Sequence, residues 1–561
     1  MQKNNVKCSD ILRPGGLPAD KSGKPYYNYE CCQIGRNKEY AGGIIMLTDQ
    51  WKKLQNGSDV RGIALEGIPG QAVNLTPEIA GAIGEAFVAW LSRRTGKAPE
   101  ALTIAVGNDS RLSAEALRQA VINQITGRGA AVVDCGLAST PAMFMTTVLE
   151  GYRYDGAIML TASHLPFNRN GLKFFTKDGG LEKSDITEIL EIAQTAAEAA
   201  EARQGAPAIK PGQCTKIDFI RVYAAHLTAL IRSATGEQTP LKDFRIVVDA
   251  GNGAGGFFAD QVLKPLGACT EGSQFLEPDG SFPNHIPNPE DPDAMRAIQD
   301  AVLRNKADFG IIFDTDVDRA GAVDKFGKEI NRNRIIALIA AIAIGEHPGA
   351  AIVTDSITSS GLQEFIESDL GGVHHRFKRG YKNVINEAIR LNQEGIFTPV
   401  AIETSGHGAL KENYFLDDGA YLIAKILIQM AKLKKEGKTV DMLISGLKEP
   451  AEAKEYRMGI SCPDFKAYGN QIIQQLSEFA AAQKGWTIEP KNYEGIRVSC
   501  DAQNGDGWFL LRLSLHDPLV PLNIESNTAG GTEQIAARLR PFFARFNSLD
   551  ASGLAAAKTA E

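Results

Sequence analysis

Short, wholly apolar runs alternate along the chain with segments whose apolar residues recur every three or four positions. Leu102 to Val106, Ala130 to Asp134 and Gly156 to Leu160 read as buried strands, and Ser113 to Ile125 as an amphipathic helix. That alternation is the α/β signature. It restarts after an Ala/Glu-rich helix near Asp185 to Ala202 and the Pro/Gly-containing linker 204–212. A second unit then offers a strand at Arg245 to Asp249, a glycine turn at Gly251 to Gly256 followed by a helix, and a strand at Phe309 to Phe313. A third offers strands at Ala351 to Thr354 and Pro399 to Ile402 and a helix from Asp418 to Lys432. From about Ala453 the cadence changes, with helices near Tyr468 to Ala482 and Thr532 to Phe546 and strands near Gly495 to Ser499 and Trp508 to Ser514. The pattern predicts an N-terminal extension over 1–56, three consecutive α/β domains of similar topology over 57–212, 213–328 and 329–452, and a smaller α+β domain over 453–561. The extension offers only a possible strand at Gly43 to Leu47.

Length and charge narrow the function. A chain of 561 residues exceeds what one core serves, and 43% hydrophobic residues suffice for several. The formal net charge of −7, without a basic stripe, argues against nucleic acid or an anionic membrane as partner. The apolar run Ile335 to Ile344 is about half of the roughly 20 residues that cross a bilayer, so it reads as a buried helix. Eight cysteines without a C-x-x-C pair indicate neither a zinc ribbon nor a disulfide framework, and Cys31-Cys32 reads as two ordinary thiols. The first 30 residues lack a signal-like apolar run, so the expected setting is the cytoplasm, as a monomer or small homo-oligomer with a small-molecule substrate.

Two runs carry chemistry. Ser163 lies in Thr161-Ala-Ser-His164, directly after a strand, and ligands of open α/β sheets bind outside the carboxyl ends of strands. The same run also suits a helix N-cap. Asp314-Thr-Asp-Val-Asp-Arg319 follows another buried strand. Carboxylates at every second position of an extended segment lean to one side, and their mutual repulsion calls for a cation. Arg319 and Lys325 stand where a calcium loop needs Gly and Glu, so magnesium with phosphate is the better reading. The turn Gly251 to Gly256 departs from G-x-G-x-x-G and reads as a tight turn, not a cofactor loop.

Taken together, these residues resemble the α-D-phosphohexomutase superfamily, specifically its phosphomannomutase/phosphoglucomutase group, from about Gly57 onward. Asp59-Val-Arg-Gly62 is similar to the opening motif, and Thr161 to Pro166 with Asn170-Gly-Leu-Lys173 to the phosphoserine loop. Asp314 to Arg319 is similar to the metal loop, Glu403-Thr-Ser-Gly-His407 to the sugar-recognition loop and Arg512 to Pro518 to the phosphate-binding loop. The resemblance implies Ser163 held as phosphoserine, with Ser163, Asp314, Asp316 and Asp318 around Mg2+. It places His164, Lys173, Arg61 and Arg319 by the reacting phosphate, and Lys378, Glu403, Ser405 and His407 by the sugar. Arg512, Ser514 and His516 fall at the distant phosphate. Lys173 and Arg61 are the expected proton-transfer or charge-stabilising groups, and a lysine base would need its pKa lowered by neighbouring cations. Two loops depart from the family pattern: Leu165 replaces a common Asn, and Leu515-His516 replaces a Gly-Thr or Asn-Thr pair.

The implied activity is a mutase interconverting hexose 1-phosphate and hexose 6-phosphate of glucose or mannose, through a hexose 1,6-bisphosphate and a cleft that the fourth domain opens. A phosphoglucosamine mutase, an aspartyl-nucleophile phosphatase and a catalytically inactive sugar-phosphate sensor are the alternatives.

Overall fold

Four sheets present their functional loops in one recurrent way. The computed structural model describes residues 46–198, 210–514 and 517–554. Most of the strand expected at 43–47, the Cys31-Cys32 pair, linker residues 204–209, Leu515 and His516 lie outside them.

In the first sheet the strands run in the order Gln55–Asn56, Asp59–Ile63, Arg169–Thr176, Gly156–Leu160, Thr103–Asn108, Ala131–Leu137 and Cys214–Lys216. The last four are parallel to one another, as continuous apolar runs dictate. Arg169–Thr176 returns antiparallel along Gly156–Leu160, so residues 161–168 are a hairpin connection. The second sheet repeats this: Ile246–Asp249 and Phe309–Phe313 are parallel, and Ala320–Asp324 returns on Phe309–Phe313. So does the third, where Ala351–Thr354 and Val400–Ile402 are parallel and Gly408–Leu410 returns. In the last domain Gly507–Leu511 and Leu519–Ser526 pair antiparallel around residues 512–518. All four candidate loops are thus hairpin connections, held at both ends by strand pairing.

The boundaries differ from the sequence expectation at two points. Leu47, Trp51 and Leu54 are buried in the core of the first domain, so that domain begins before residue 57. Cys214–Lys216 pairs with Ala131–Leu137, so the chain leaves the first sheet only after residue 216. The helix expected after the glycine turn is instead a series of short 3-10 and π turns from Ala254 to Leu266. The turn itself has a packing role. A Cβ at Gly253 would lie 2.6 Å from the Thr315 carbonyl oxygen, and the Ala254 N–H donates to that oxygen at 2.8 Å. The glycine turn therefore backs the aspartate loop.

The helices Phe219–Thr235, Asn333–Glu346 and Gly419–Lys435 share one hydrophobic cluster with Met143 and Phe144 of the first domain, which joins the first three domains. The last domain buries its own cluster around Phe509, Leu522 and Phe542. Among the described residues no helix is long and apolar enough to cross a membrane.

Gly171 marks a tight approach beside the Ser163 loop. It pairs with Arg61, and a Cβ there would lie 2.1 Å from the Val60 carbonyl oxygen and 2.9 Å from that of Thr161. Gly171→Ala is expected to cost about 1–3 kcal/mol through overpacking. A urea midpoint equal to that of the wild type would contradict this.

Candidate active site

Ser163 stands in the hairpin loop at φ +51°, a left-handed conformation uncommon for serine, and its N–H donates to Thr161 Oγ1 at 2.9 Å. No helix follows it, so the hydroxyl caps nothing. It donates instead to Asp314 Oδ2 at 3.0 Å and accepts from Arg319 Nη2 at 2.9 Å. His164 Nδ1 lies 3.3 Å from the same oxygen and 2.6 Å from Arg319 Nη2. A guanidinium only donates, so Nδ1 is the acceptor and the imidazole is neutral. Burial and the charges of Arg319 and Arg61 push its pKa down to about 3.

The aspartate loop follows Phe309–Phe313 and turns through Val317 at φ +68°, which a β-branched side chain strongly disfavours. Asp314, Asp316 and Asp318 are buried and offer oxygens that all lie within 4.8 Å of one another. Lys173 Nζ donates to Asp316 Oδ2 at 3.2 Å and to Asp318 Oδ2, and Arg319 Nε donates to Asp314 Oδ2 at 3.1 Å. Burial pulls Lys173 toward neutrality, yet Asp316, Asp318 and Asp59 outweigh it and hold the pKa well above the ordinary lysine value. Arg61 pulls the other way, toward the lowered pKa that a general base requires, and is outweighed by these carboxylates. Within the cluster, burial and Asp318 drive Asp314 upward, whereas Lys173 and Arg319 overcome burial and hold Asp318 below the usual carboxylate range.

Asp316 Oδ1 and Asp318 Oδ1 are buried without a hydrogen-bond partner. Orphaned carboxylate oxygens that converge with a third carboxylate form a hard, all-oxygen donor set, which fits Mg2+. Thr140, at the start of the helix Thr140–Val148, braces this loop from the first domain. Its N–H donates to the Asp316 carbonyl at 2.8 Å and its Oγ1 to Asp316 Oδ2 at 2.5 Å.

Arg61 donates through Nη1 to the Thr161 carbonyl and through Nη2 to Asp59 Oδ2 at 2.9 Å. The third-domain loop joins the aspartate loop through its backbone: Arg319 and His407 form an antiparallel bridge, and the Ala320 N–H donates to the Gly406 carbonyl at 3.3 Å. His407 Nδ1 sits 2.8 Å from Ser405 Oγ and 3.6 Å from Glu403 Oε2, and Nε2 lies 3.9 Å from Asp318 and 3.7 Å from Asp417. Burial pushes the His407 pKa well down, so the ring is neutral. Glu403 Oε1 accepts the Gly380 N–H at 2.6 Å, and burial with Asp355 nearby raises its pKa to about 8.

The remaining expected residues are placed less centrally. Lys378 is exposed, with its ammonium 5.9 Å from the Phe377 ring centroid. Its neighbour Arg379 faces Asp355 and Glu290, each at 3.9 Å. Arg512 carries a buried Nε without a hydrogen-bond partner, and burial lowers its pKa. Ser514 Oγ accepts the Asp517 N–H at 3.2 Å.

Sequence reasoning missed Arg111, Thr140, Arg379, Tyr381 and Asp417. Arg111 is the most consequential, because its Nη1 donates to the Pro166 and Arg169 carbonyls at 2.9 Å each and its Nη2 to those of Ser163 and Leu165. The signal was available: Asp109 and Arg111 are charged residues at the carboxyl end of the buried strand Thr103–Asn108, where ligands and their supports gather.

Three α/β/α domains whose hairpin loops converge on a serine, three carboxylates and a fan of cations define the α-D-phosphohexomutase class. Models of domains I, II and III of phosphoglucomutase/phosphomannomutase match residues 52–200, 221–327 and 331–449. A phosphoglucomutase of Neisseria gonorrhoeae is 31% identical over 487 residues, 86% of this chain and 95% of its own length. A phosphomannomutase/phosphoglucomutase of Pseudomonas aeruginosa is 29% identical over 474 residues, 82% of this chain and 93% of its own. Among solved structures, a phosphoglucomutase/phosphomannomutase family protein of Burkholderia thailandensis superposes with a TM-score of 0.70 at 26% identity, covering 90% of this chain and 100% of that one. The chain belongs to the phosphoglucomutase/phosphomannomutase family.

Proposed function

We propose that the protein is a cytoplasmic mutase that interconverts hexose 1-phosphate and hexose 6-phosphate, with glucose and mannose as its sugars. The observation that carries this reading is the Ser163 hydroxyl bonded at once to Asp314 and Arg319 beside the carboxylate cluster. Phosphorylated Ser163 transfers its phosphoryl group to the free sugar hydroxyl. The Ser Oγ–P bond breaks, a sugar O–P bond forms, and the hydroxyl proton, taken up by neutral His407, ends on the departing Ser163 oxygen. The bisphosphate turns over in the cleft and returns its other phosphate to Ser163. Lys173, Arg61 and Arg319 stay charged and hold the transferring oxygens, while Arg512 and Ser514 hold the phosphate that does not react. Glu403 and Ser405 bind sugar hydroxyls. Asp314, Asp316, Asp318 and the Ser163 phosphate would hold Mg2+, which would supply charge neutralisation at the phosphoryl group. An aspartyl nucleophile is disfavoured, because both oxygens of Asp314 already accept bonds, from Arg319 and from Ser163.

The test is a coupled assay on glucose 1-phosphate, mannose 1-phosphate and glucosamine 1-phosphate, with trace hexose 1,6-bisphosphate and Mg2+. Turnover of the first two is expected, with loss on chelation and recovery on adding Mg2+. Preference for glucosamine 1-phosphate would overturn the sugar assignment. Binding without turnover of any of the three would leave the sensor reading in its place.

A further inference from the structure

Tyr381 touches two domains at once. It is the first residue of the helix Tyr381–Gln393 and follows Gly380, whose φ of +117° a side chain rarely adopts. The Gly380 N–H is tied to Glu403, so the start of this helix is fixed to the recognition loop. From there the Tyr381 ring stacks on His407, with centroids 5.5 Å apart and planes at 25°. Its hydroxyl reaches across to the first domain and lies 3.0 Å from Ser58 Oγ. Ser58 directly precedes Asp59, which pairs with Arg61. Tyr381 also walls a cavity of about 1020 Å³ that reaches Lys173, Asp318 and Asp417 and that His407 does not line. The ring is thus a partition between that cavity and the histidine. Without the bond to Ser58 it is free to swing into the open space, taking away the surface against which the imidazole lies flat.

We propose that Tyr381 is a positioning residue for His407, anchored by Ser58, so that the plane of the third-domain histidine is set by the first domain. This rests on the mutase reading above. The phenol contributes in two separable ways: the stack orients the imidazole, and the hydroxyl bond stops the phenol from turning. Removing either partner of one hydrogen bond then has the same consequence, and removing both adds nothing.

The test compares Tyr381→Phe, Ser58→Ala, their double variant and Tyr381→Leu in the full chain. The two single variants are expected to lower kcat by about three- to tenfold with KM within about twofold, and the double variant to match either single one. Tyr381→Leu is expected to lower kcat further. A second readout needs no turnover: in spectra of the histidine-labelled protein, with His407 assigned through His407→Gln, Ser58→Ala and Tyr381→Phe should move the His407 ring signal in the same direction. Additive losses in the double variant, or kcat within twofold of wild type in both Tyr381 variants, overturn the inference. An unmoved His407 signal does so as well. A wild-type protein that turns over no hexose phosphate defeats the mutase reading instead, and the ring signal still decides whether Tyr381 sets His407.

Discussion

Ser163→Ala is expected to lower turnover of glucose 1-phosphate on the order of a thousandfold or more, since the covalent carrier is removed and no other group replaces it. The fold should survive, because the loop is held by strand pairing at both ends and by Arg111, not by the hydroxyl. Ser163→Gly separates chemistry from conformation. At φ +51° glycine is at ease and alanine is not, so the glycine variant should be the more stable of the two in urea while both stay inactive. In parallel, mass spectrometry of the wild-type peptide should find phosphate on Ser163. An alanine variant keeping more than about a tenth of wild-type turnover would falsify the phosphoserine assignment.

Arg111→Met is expected to be nearly as damaging, by another route. The side chains of Arg111 and Asp109 are fully buried, with Nε 3.5 Å from Asp109 Oδ2, and the guanidinium satisfies four carbonyls of the phosphoserine loop. Breaking a buried pair on one side costs about 3–5 kcal/mol, because the remaining carboxylate cannot keep its charge cheaply in a dry environment. Burial already pushes the Asp109 pKa up to about 6 against the pull of Arg111, so in the variant this carboxyl should be protonated at neutral pH. Adding Asp109→Asn should recover part of the stability, since no buried carboxylate then has to be neutralised, but not the turnover, since the loop still lacks its four bonds. If the double variant regained near-normal turnover, Arg111 would matter only for stability.

The sequence was readable where burial alone decides. Gly156–Leu160, Phe309–Phe313 and Ala351–Thr354 form strands with the bounds expected, because a strand covered on both faces must be an unbroken apolar run. The loops behind two of them followed from position. The return strands were less visible: Arg169–Thr176 begins Arg-Asn-Gly-Leu-Lys, which is loop-like composition, and forms a strand because Gly156–Leu160 offers it a partner. Leu519–Ser526 hid behind Pro521, which lacks an N–H but whose carbonyl still accepts from Arg512. Lys378 and Arg379 show the limit of spacing arguments. In an irregular segment nothing periodic says which of two neighbouring cations turns inward; here it is Arg379, which faces Asp355 and Glu290. The place of Arg111 at a strand's carboxyl end was legible, but its partners were not, because they are backbone carbonyls more than 50 positions away, a relation no local pattern encodes.

The backbone bridge between Arg319 and His407 bears on how a sugar can be turned around. It welds the loop expected to grip the hexose to the one that carries the carboxylates, and the common core of the first three domains leaves neither free to travel. The fourth domain adds no residue to that common core and packs around a separate cluster. On the proposed mechanism the first three loops would act as a fixed anvil and the fourth domain as the single jaw. A bisphosphate that reverses end for end must be let go and caught again by that one jaw, so the size of sugar the enzyme admits is set by how far the jaw swings as well as by the contacts at the anvil.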